Sequence, residues 1–262
     1  MTPASAGDIE LHDLRDQQFL DEVHSFQFWF DSVEGYLTDR PYGRDPDVAV
    51  PVLEPELADR LVTTLCNYCL GETAALDGAS SLVHDAPTRN AKIFLATQVA
   101  DEARHLEVFR HRLGELGIAD PEAEIERRGN QALVEFRGEL LDMIAAGDWP
   151  AAVFAQNVVL ETLEYTVFRF HADNADEVTR QMLRGVVADE RRHSGFGENH
   201  LGRWLAAEPS GRQRLQAVRQ RLDPLVAAIF SGALDDIGFA PADRPPLARD
   251  YVEAIDRLGL TA

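Results

Sequence analysis

Two copies of one pentapeptide, Asp101-Glu102-Ala103-Arg104-His105 and Asp189-Glu190-Arg191-Arg192-His193, constrain this chain more than any other feature. Each copy sets a carboxylate and an imidazole three residues apart, and on an α-helix residues i and i+3 share a face. The match extends outward, because Val99-Ala100 aligns with Val187-Ala188, and the second copy follows the first by 88 positions. A glutamate inside an apolar run precedes each copy: Glu72 stands 30 residues before Glu102, and Glu161 stands 29 before Glu190. That separation suits two long antiparallel helices joined by a short turn, with both glutamates at similar height in a bundle. Four Glu and two His therefore form one candidate site.

Oxygen-rich ligation with one nitrogen per metal suits iron or manganese better than the thiolate-rich sites of structural zinc, and iron is the expected metal. A single Glu-x-x-His would read more simply as a solvent-facing charged pair. The duplication and its surroundings change that balance. Val99, Ala100, Leu106 and Phe109 flank the first copy, Val186, Val187 and Ala188 precede the second, and Glu72 and Glu161 each sit among Leu, Ala or Val. Burying four unpaired carboxylates is very costly, and metal coordination offsets that cost.

The chain has 262 residues, and its 45% hydrophobic content supports a sizeable core, so one internally duplicated domain over 1–262, with a bundle core at about 54–206, is the simplest organisation. A formal net charge of −20 argues against nucleic acid or an anionic membrane as partner and is compatible with a basic electron donor. No apolar run of about 18 residues occurs, and Met1 to Glu10 is polar, so a cytoplasmic protein is expected. Cys66 and Cys69 fall in mid-helix rather than at a strand-to-helix turn, which favours buried thiols over a redox motif.

Proline and glycine punctuation divides the sequence into long helical segments with no convincing strand. A first helix is expected at about Leu11 to Leu37, with Phe26, Phe28, Trp29 and Phe30 as packing residues, followed by a loop from Pro41 to Pro55. The helix bearing Glu72 should run from about Glu54 to Val83, and the next, bearing Glu102 and His105, from Thr88 to Gly114 or Gly117. A connecting helix after Asp120-Pro121 should reach about Ala146, where capping Asp and first-turn Pro suit the start. Asp148-Trp149-Pro150 opens the helix with Glu161, ending near Asn174, and the helix with Glu190 and His193 spans about Ala175 to Ala206. Pro209-Ser210-Gly211 breaks the chain, and two more helices, one from there to about Ile237 and one from about Leu247 to Leu258, should pack outside the bundle.

The doubled Asp-Glu-x-Arg-His signature, with Phe196-Gly197 after the second copy, resembles the ferritin-like di-iron carboxylate superfamily over about Glu54 to Ala206. Within it the chain looks like the oxygen-activating branch: ribonucleotide reductase small subunits, manganese/iron ligand-binding oxidases and bacterial multicomponent monooxygenases. The resemblance implies an all-α, ferritin-like four-helix bundle with additional N-terminal, connecting and C-terminal helices. It implies two Fe ions, or Mn/Fe, with dioxygen as co-substrate, and a small organic substrate that is hydroxylated, desaturated or N-oxygenated. It also implies an external electron donor, a ferredoxin or a reductase, because the chain carries no flavin or nicotinamide fingerprint. A homodimer is compatible with it. Carried over by position, Glu102 and Glu190 bridge the metals, Glu72 and His105 complete one, and Glu161 and His193 the other. In the family the neighbouring Asp orients the opposite helix's imidazole, which assigns Asp189 to His105 and Asp101 to His193.

Departures from the family are as informative. Reductase small subunits usually place a radical Tyr seven residues after the second-helix Glu, where this chain has Phe109. N-oxygenases of the p-aminobenzoate type carry an extra His where this chain has Val186. Tyr165, four residues after Glu161, is expected at the cavity beside the metals, with Phe109 and Cys69 as further lining candidates. Glu164 could turn into the metal site or face solvent, while His111 and His200 are expected to be exposed. A ferritin-type storage protein, disfavoured by the segments beyond a minimal bundle, and a reductase-like redox protein are the alternative readings.

Overall fold

The structure, a computed structural model, describes residues 26–240, 244 and 249–261. Among these the chain is helical with no strand, as the periodicity predicts. Helix α1 (Phe26–Leu37) leads through a short turn at Pro41–Gly43 to α2 (Pro55–Asp85) and α3 (Arg89–Glu115). Then follow α4 (Pro121–Arg128), α5 (Gln131–Ala145), α6 (Trp149–Val153), a π-helical segment (Phe154–Leu160) and α7 (Glu161–Asn174). Helices α8 (Glu177–Ala207), α9 (Gly211–Ile237) and α10 (Arg249–Arg257) complete the described chain.

The boundaries follow from capping chemistry. Thr88 Oγ1 accepts from Ala91 N at 3.1 Å, Asp148 Oδ1 from Ala151 N at 3.1 Å, and Asp176 Oδ1 from Val178 N and Thr179 N at 3.1 Å each. Each supplies an acceptor for amides that have no partner within the helix. Turns this short make α2 and α3, and likewise α7 and α8, antiparallel neighbours packed along their lengths. Helices α2 and α8 each have 31 residues, about 46 Å at 1.5 Å per residue, which is room for ligands at mid-height and an apolar core above and below. Fully buried Arg112 on α3 bonds the α8 cap Asp176 at 3.3 Å and so sets the height of one helix against the other.

Three details depart from the expected layout. The connecting helix breaks at Gly129-Asn130, because the Asn130 amide donates to Asn67 Oδ1 at 2.8 Å while its side chain caps α5 through Ala132 N at 2.9 Å. Of the predicted first helix, the part before Phe26 lies outside the described residues, as does Leu247 of the last. Phe26 and Phe30 are exposed rather than packed, since α1 lies against the outside of α3 and α8. The third bundle helix widens over Phe154–Leu160, where the Glu161 amide reaches back five residues to Gln156 O. Among the described residues no helix is long and apolar enough to cross a membrane.

Gly197 on α8 makes room for that widened turn. A Cβ there would lie 2.6 Å from Asn157 Cβ and 2.9 Å from the Asn157 backbone carbonyl carbon and oxygen, which cannot move without shifting the π segment. Gly197→Ala should therefore destabilise the fold by about 1–3 kcal/mol, lowering Tm by roughly 2–4 °C for each kcal/mol. Gly202→Ala on the same helix meets no atom within 4 Å and should be neutral or slightly stabilising. Thermal unfolding of the two variants side by side checks this, and equal melting would exclude the proposed contact.

Candidate dimetal centre

The core brings the six predicted residues together from four helical segments, and all six are fully buried. Glu72 comes from α2, Glu102 and His105 from α3, Glu161 from the start of α7, and Glu190 and His193 from α8. They form two overlapping groups, Glu72, Glu102, His105 and Glu190, and Glu102, Glu161, Glu190 and His193, with ligand atoms within 4.8 Å of one another in each. His105 Nδ1 faces Glu72 Oε2 at 3.2 Å, Glu102 Oε2 at 3.3 Å and Glu190 Oε1 at 3.1 Å. His193 Nδ1 faces Glu102 Oε1 at 3.2 Å, Glu161 Oε2 at 3.2 Å and Glu190 Oε2 at 3.3 Å. Glu102 and Glu190 thus turn one oxygen to each imidazole, the disposition of a carboxylate shared between two ions.

Glu72 Oε1, Glu102 Oε2 and Glu190 Oε1 are buried and accept no hydrogen bond. Buried carboxylate oxygens left without a hydrogen bond at such spacing fit a cation pair, and the oxygen and nitrogen donors suit iron or manganese. The electrostatics agree. Burial and then Glu161 push Glu102 up to about 7, and the same two causes lift Glu190 well above the usual carboxylate range. Burial alone would lower both imidazoles, but Glu72 for His105 and Glu102 for His193 lead the carboxylates that raise them well above the ordinary value. Protons hold this cluster together where no metal charge does.

The far nitrogens meet the two aspartates. His105 Nε2 lies 3.3 Å from Asp189 Oδ2, and His193 Nε2 lies 3.3 Å from Asp101 Oδ2. An arginine crosses over in each case: Arg104 bonds Asp189 and Arg192 bonds Asp101, so each pentapeptide's Arg serves the other's Asp. Burial opposes it, but Arg104 and His105 hold Asp189 well below the usual range. Trp29 Nε1 adds donation to Asp101 Oδ1 at 3.0 Å and Oδ2 at 3.1 Å. The arginine roles were readable in principle, because Arg occupies the same place in both copies.

Sequence reasoning also missed a buried amide network around Glu161. Gln98 Nε2 donates to Glu161 Oε1 at 2.7 Å and to Glu102 Oε1 at 2.9 Å, and Gln156 Nε2 donates to Glu161 Oε1 at 2.7 Å. Asn157 Nδ2 in turn holds Gln98 Oε1 at 2.8 Å. Gln98 precedes Glu102 by four residues, a spacing that signals a shared helix face. Asn157 stands at that same spacing before Glu161, but the π turn brings Gln156, five residues before it, onto the carboxylate instead.

None of the three expected lining residues is among those that wall the cavity described below. Tyr165 OH accepts from Arg169 Nη1 at 3.1 Å, and the Arg169 guanidinium, itself paired with Asp250 of α10 at 2.7 Å, covers its ring at 4.7 Å. Phe109 packs on Tyr68 and Phe168 with ring centroids at 5.3 and 5.6 Å, so it backs a cavity wall without lining it. Cys69 is a fully buried free thiol in the core, as is Cys66, and burial pushes Cys66 up to about 11. His111 and His200 are half-buried rather than exposed, stacked on Tyr42 and edge-on to Trp149 respectively.

A narrow cavity opens between α2, α5, α7 and α9, walled by Leu133, Leu160, Leu163, Val167, Phe168 and Ile229. Asn67, Asn130 and Asp236 are its outer polar groups, and Glu164 and Gly71 lie at its inner end, Gly71 being next to Glu72 in the chain. Glu164 neither faces solvent nor joins either ligand group. Burial, followed by Glu72, pushes its carboxyl well above the usual range.

Known proteins share this architecture. An R2-like ligand-binding oxidase with aerobically reconstituted Mn/Fe cofactor superimposes with a TM-score of 0.65 at 19% identity, covering 92% of this chain and 92% of that one. A Synechococcus protein with aldehyde deformylating oxidase activity superimposes with a TM-score of 0.66 at 18% identity, covering 80% of this chain and 94% of that one. At these identities the likeness is one of fold. The sequence model of the methane/phenol/alkene hydroxylase family matches residues 48–208, a stretch that contains all six clustered residues and both aspartates. The chain belongs to the methane/phenol/alkene hydroxylase family.

Proposed function

We propose that this protein is a dioxygen-dependent oxidoreductase that uses two iron ions, or one manganese and one iron, to oxidise a small organic substrate. The observation that carries the reading is the pair of overlapping ligand groups sharing Glu102 and Glu190. Glu72 and His105 complete one position, Glu161 and His193 the other, and Nδ1 is the donor atom of each imidazole. Bound there, the ions would supply the electron transfer to dioxygen that no side chain of the cluster can perform.

The side chains have separable tasks. Asp189 and Asp101 accept the Nε2 proton of His105 and His193, which fixes the tautomer that leaves Nδ1 free and raises its basicity. Gln98 and Gln156 occupy Glu161 Oε1, leaving Oε2 turned to His193 Nδ1. The fully buried surroundings exclude bulk water, which strengthens every charge interaction inside. Electrons come from an external reductant, and the net charge of −20 favours a basic donor.

Purified protein should contain about two transition metal ions per chain, as the paired ligand groups require. Glu102→Ala or Glu190→Ala should remove most of that loading, since each takes a ligand from both positions, whereas Glu72→Ala should spare one position in part. Elemental analysis, with dioxygen consumption by the reduced protein, tests this; metal-free wild type from iron-replete cells would end the reading.

Metal uptake should also release protons. Glu102 titrates at about 7, and Glu190, His105 and His193 are likewise raised, so all four hold protons that cations must displace. Apparent metal affinity should therefore rise with pH between about 6 and 8, and an indicator dye at pH 6 should record acidification on adding ferrous ion. Uptake without proton release would contradict the assignment.

A further inference from the structure

Almost every polar side chain along the cavity is already engaged. Thr64 Oγ1 donates to Arg60 O at 3.0 Å, and Asn67 donates to Asp236 Oδ2 at 2.8 Å while accepting from the Asn130 amide. Tyr68 OH and His171 Nδ1 bond each other at 2.9 Å, and Asn130 Oδ1 caps α5. Glu164 Oε2 differs: it is buried with no hydrogen-bond partner, on a residue only 6% exposed. The chain makes room for this carboxyl with Gly71, where a Cβ would lie 2.4 Å from Glu164 Oε1. Among the described residues no lysine or arginine lines the cavity.

Charge identifies what such an oxygen is for. Two divalent ions balance Glu72, Glu102, Glu161 and Glu190, while Asp101 and Asp189 already pair with Arg192 and Arg104. Among the buried acids of the described residues, Glu164 is the one left without a cation, and burying a charged carboxylate is costly unless it is paired. Resting on the dimetal oxidoreductase reading, we infer that Glu164 receives the ammonium group of a small amine substrate whose apolar body lies along this cavity. The space open to the centre of a water-sized sphere is about 30 Å³, enough for little more than ordered water, so the walls must part and a linear alkyl chain fits better than a ring system. The amine would sit at the inner end of the cavity, beside Gly71 and one helical turn beyond Glu161.

Calorimetric titration of the metal-loaded protein with hexylamine, hexan-1-ol and hexanoate at neutral pH tests the assignment without relying on turnover. Hexylamine should bind about tenfold or more tighter than hexan-1-ol, as a charge-assisted hydrogen bond to a buried acid requires, and hexanoate least of the three. Glu164→Gln should erase the preference with metal content unchanged. Gly71→Ala should weaken amine binding by displacing the carboxyl, which is the movable end of a flexible side chain. Equal binding of the three probes, or an undiminished preference in Glu164→Gln, overturns the inference, and loss of metal from that variant would overturn it by making Glu164 a ligand. Wild type that loads metal and consumes dioxygen without preferring the amine overturns this inference alone, whereas wild type that takes up no metal overturns the oxidoreductase reading beneath it.

Discussion

Carboxylates crowded in a dry interior repel one another, and the cost of desolvating each is several kcal/mol even after the surroundings relax. The bundle places Glu72, Glu102, Glu161 and Glu190 in that situation, fully buried and within reach of two imidazoles. Positive charge between them is therefore a condition of the fold as much as of the chemistry. In its absence raised histidines and protonated glutamates take that part, and a metal pair replaces the protons. Long helices follow from the same requirement, because the apolar layers above and below must hold the acids apart from water.

The interactions that position the ligands also join the halves of the bundle. Arg104 of α3 reaches Asp189 of α8, and Arg192 of α8 reaches Asp101 of α3. Each imidazole is thereby aligned by a residue on the opposite helix, so α3 and α8 cannot slide past each other without losing both alignments. Buried Arg112, bonded to the cap of α8, fixes the same pair of helices farther along. Ligand geometry and helix register are one constraint here.

Much of this was legible in the sequence, for identifiable reasons. The six clustered residues and the two aspartates lie on α-helices at i, i+3 spacing or beside it, and a duplicated motif doubles a signal that one copy would not carry. The starts of three helices are marked by Thr88, Asp120 and Asp148, whose caps are local interactions. What escaped was set by tertiary contact. Asn67 breaks the connecting helix from a distance of 63 residues along the chain. The π turn aims Gln156 at Glu161, and no feature of Phe154–Leu160 announces it. Spacing alone places Tyr165 at the cavity, whereas its hydroxyl and ring are engaged by Arg169 and it is not among the residues that wall the cavity.

The two halves of the duplication do not remain equivalent. Where the first copy carries Phe109, the corresponding place in the second is Gly197. Phe109 stacks beside Tyr68, whereas Gly197 lets the Asn157 backbone close in, bringing amides onto Glu161. A centre with exact two-fold symmetry would present the same surroundings in two directions and could not tell an incoming molecule which way to turn. Exchanging one large ring for a hydrogen atom gives this centre a front and a back: one side where amides reach Glu161, and one where Phe109 packs with Tyr68 and Phe168 behind the cavity.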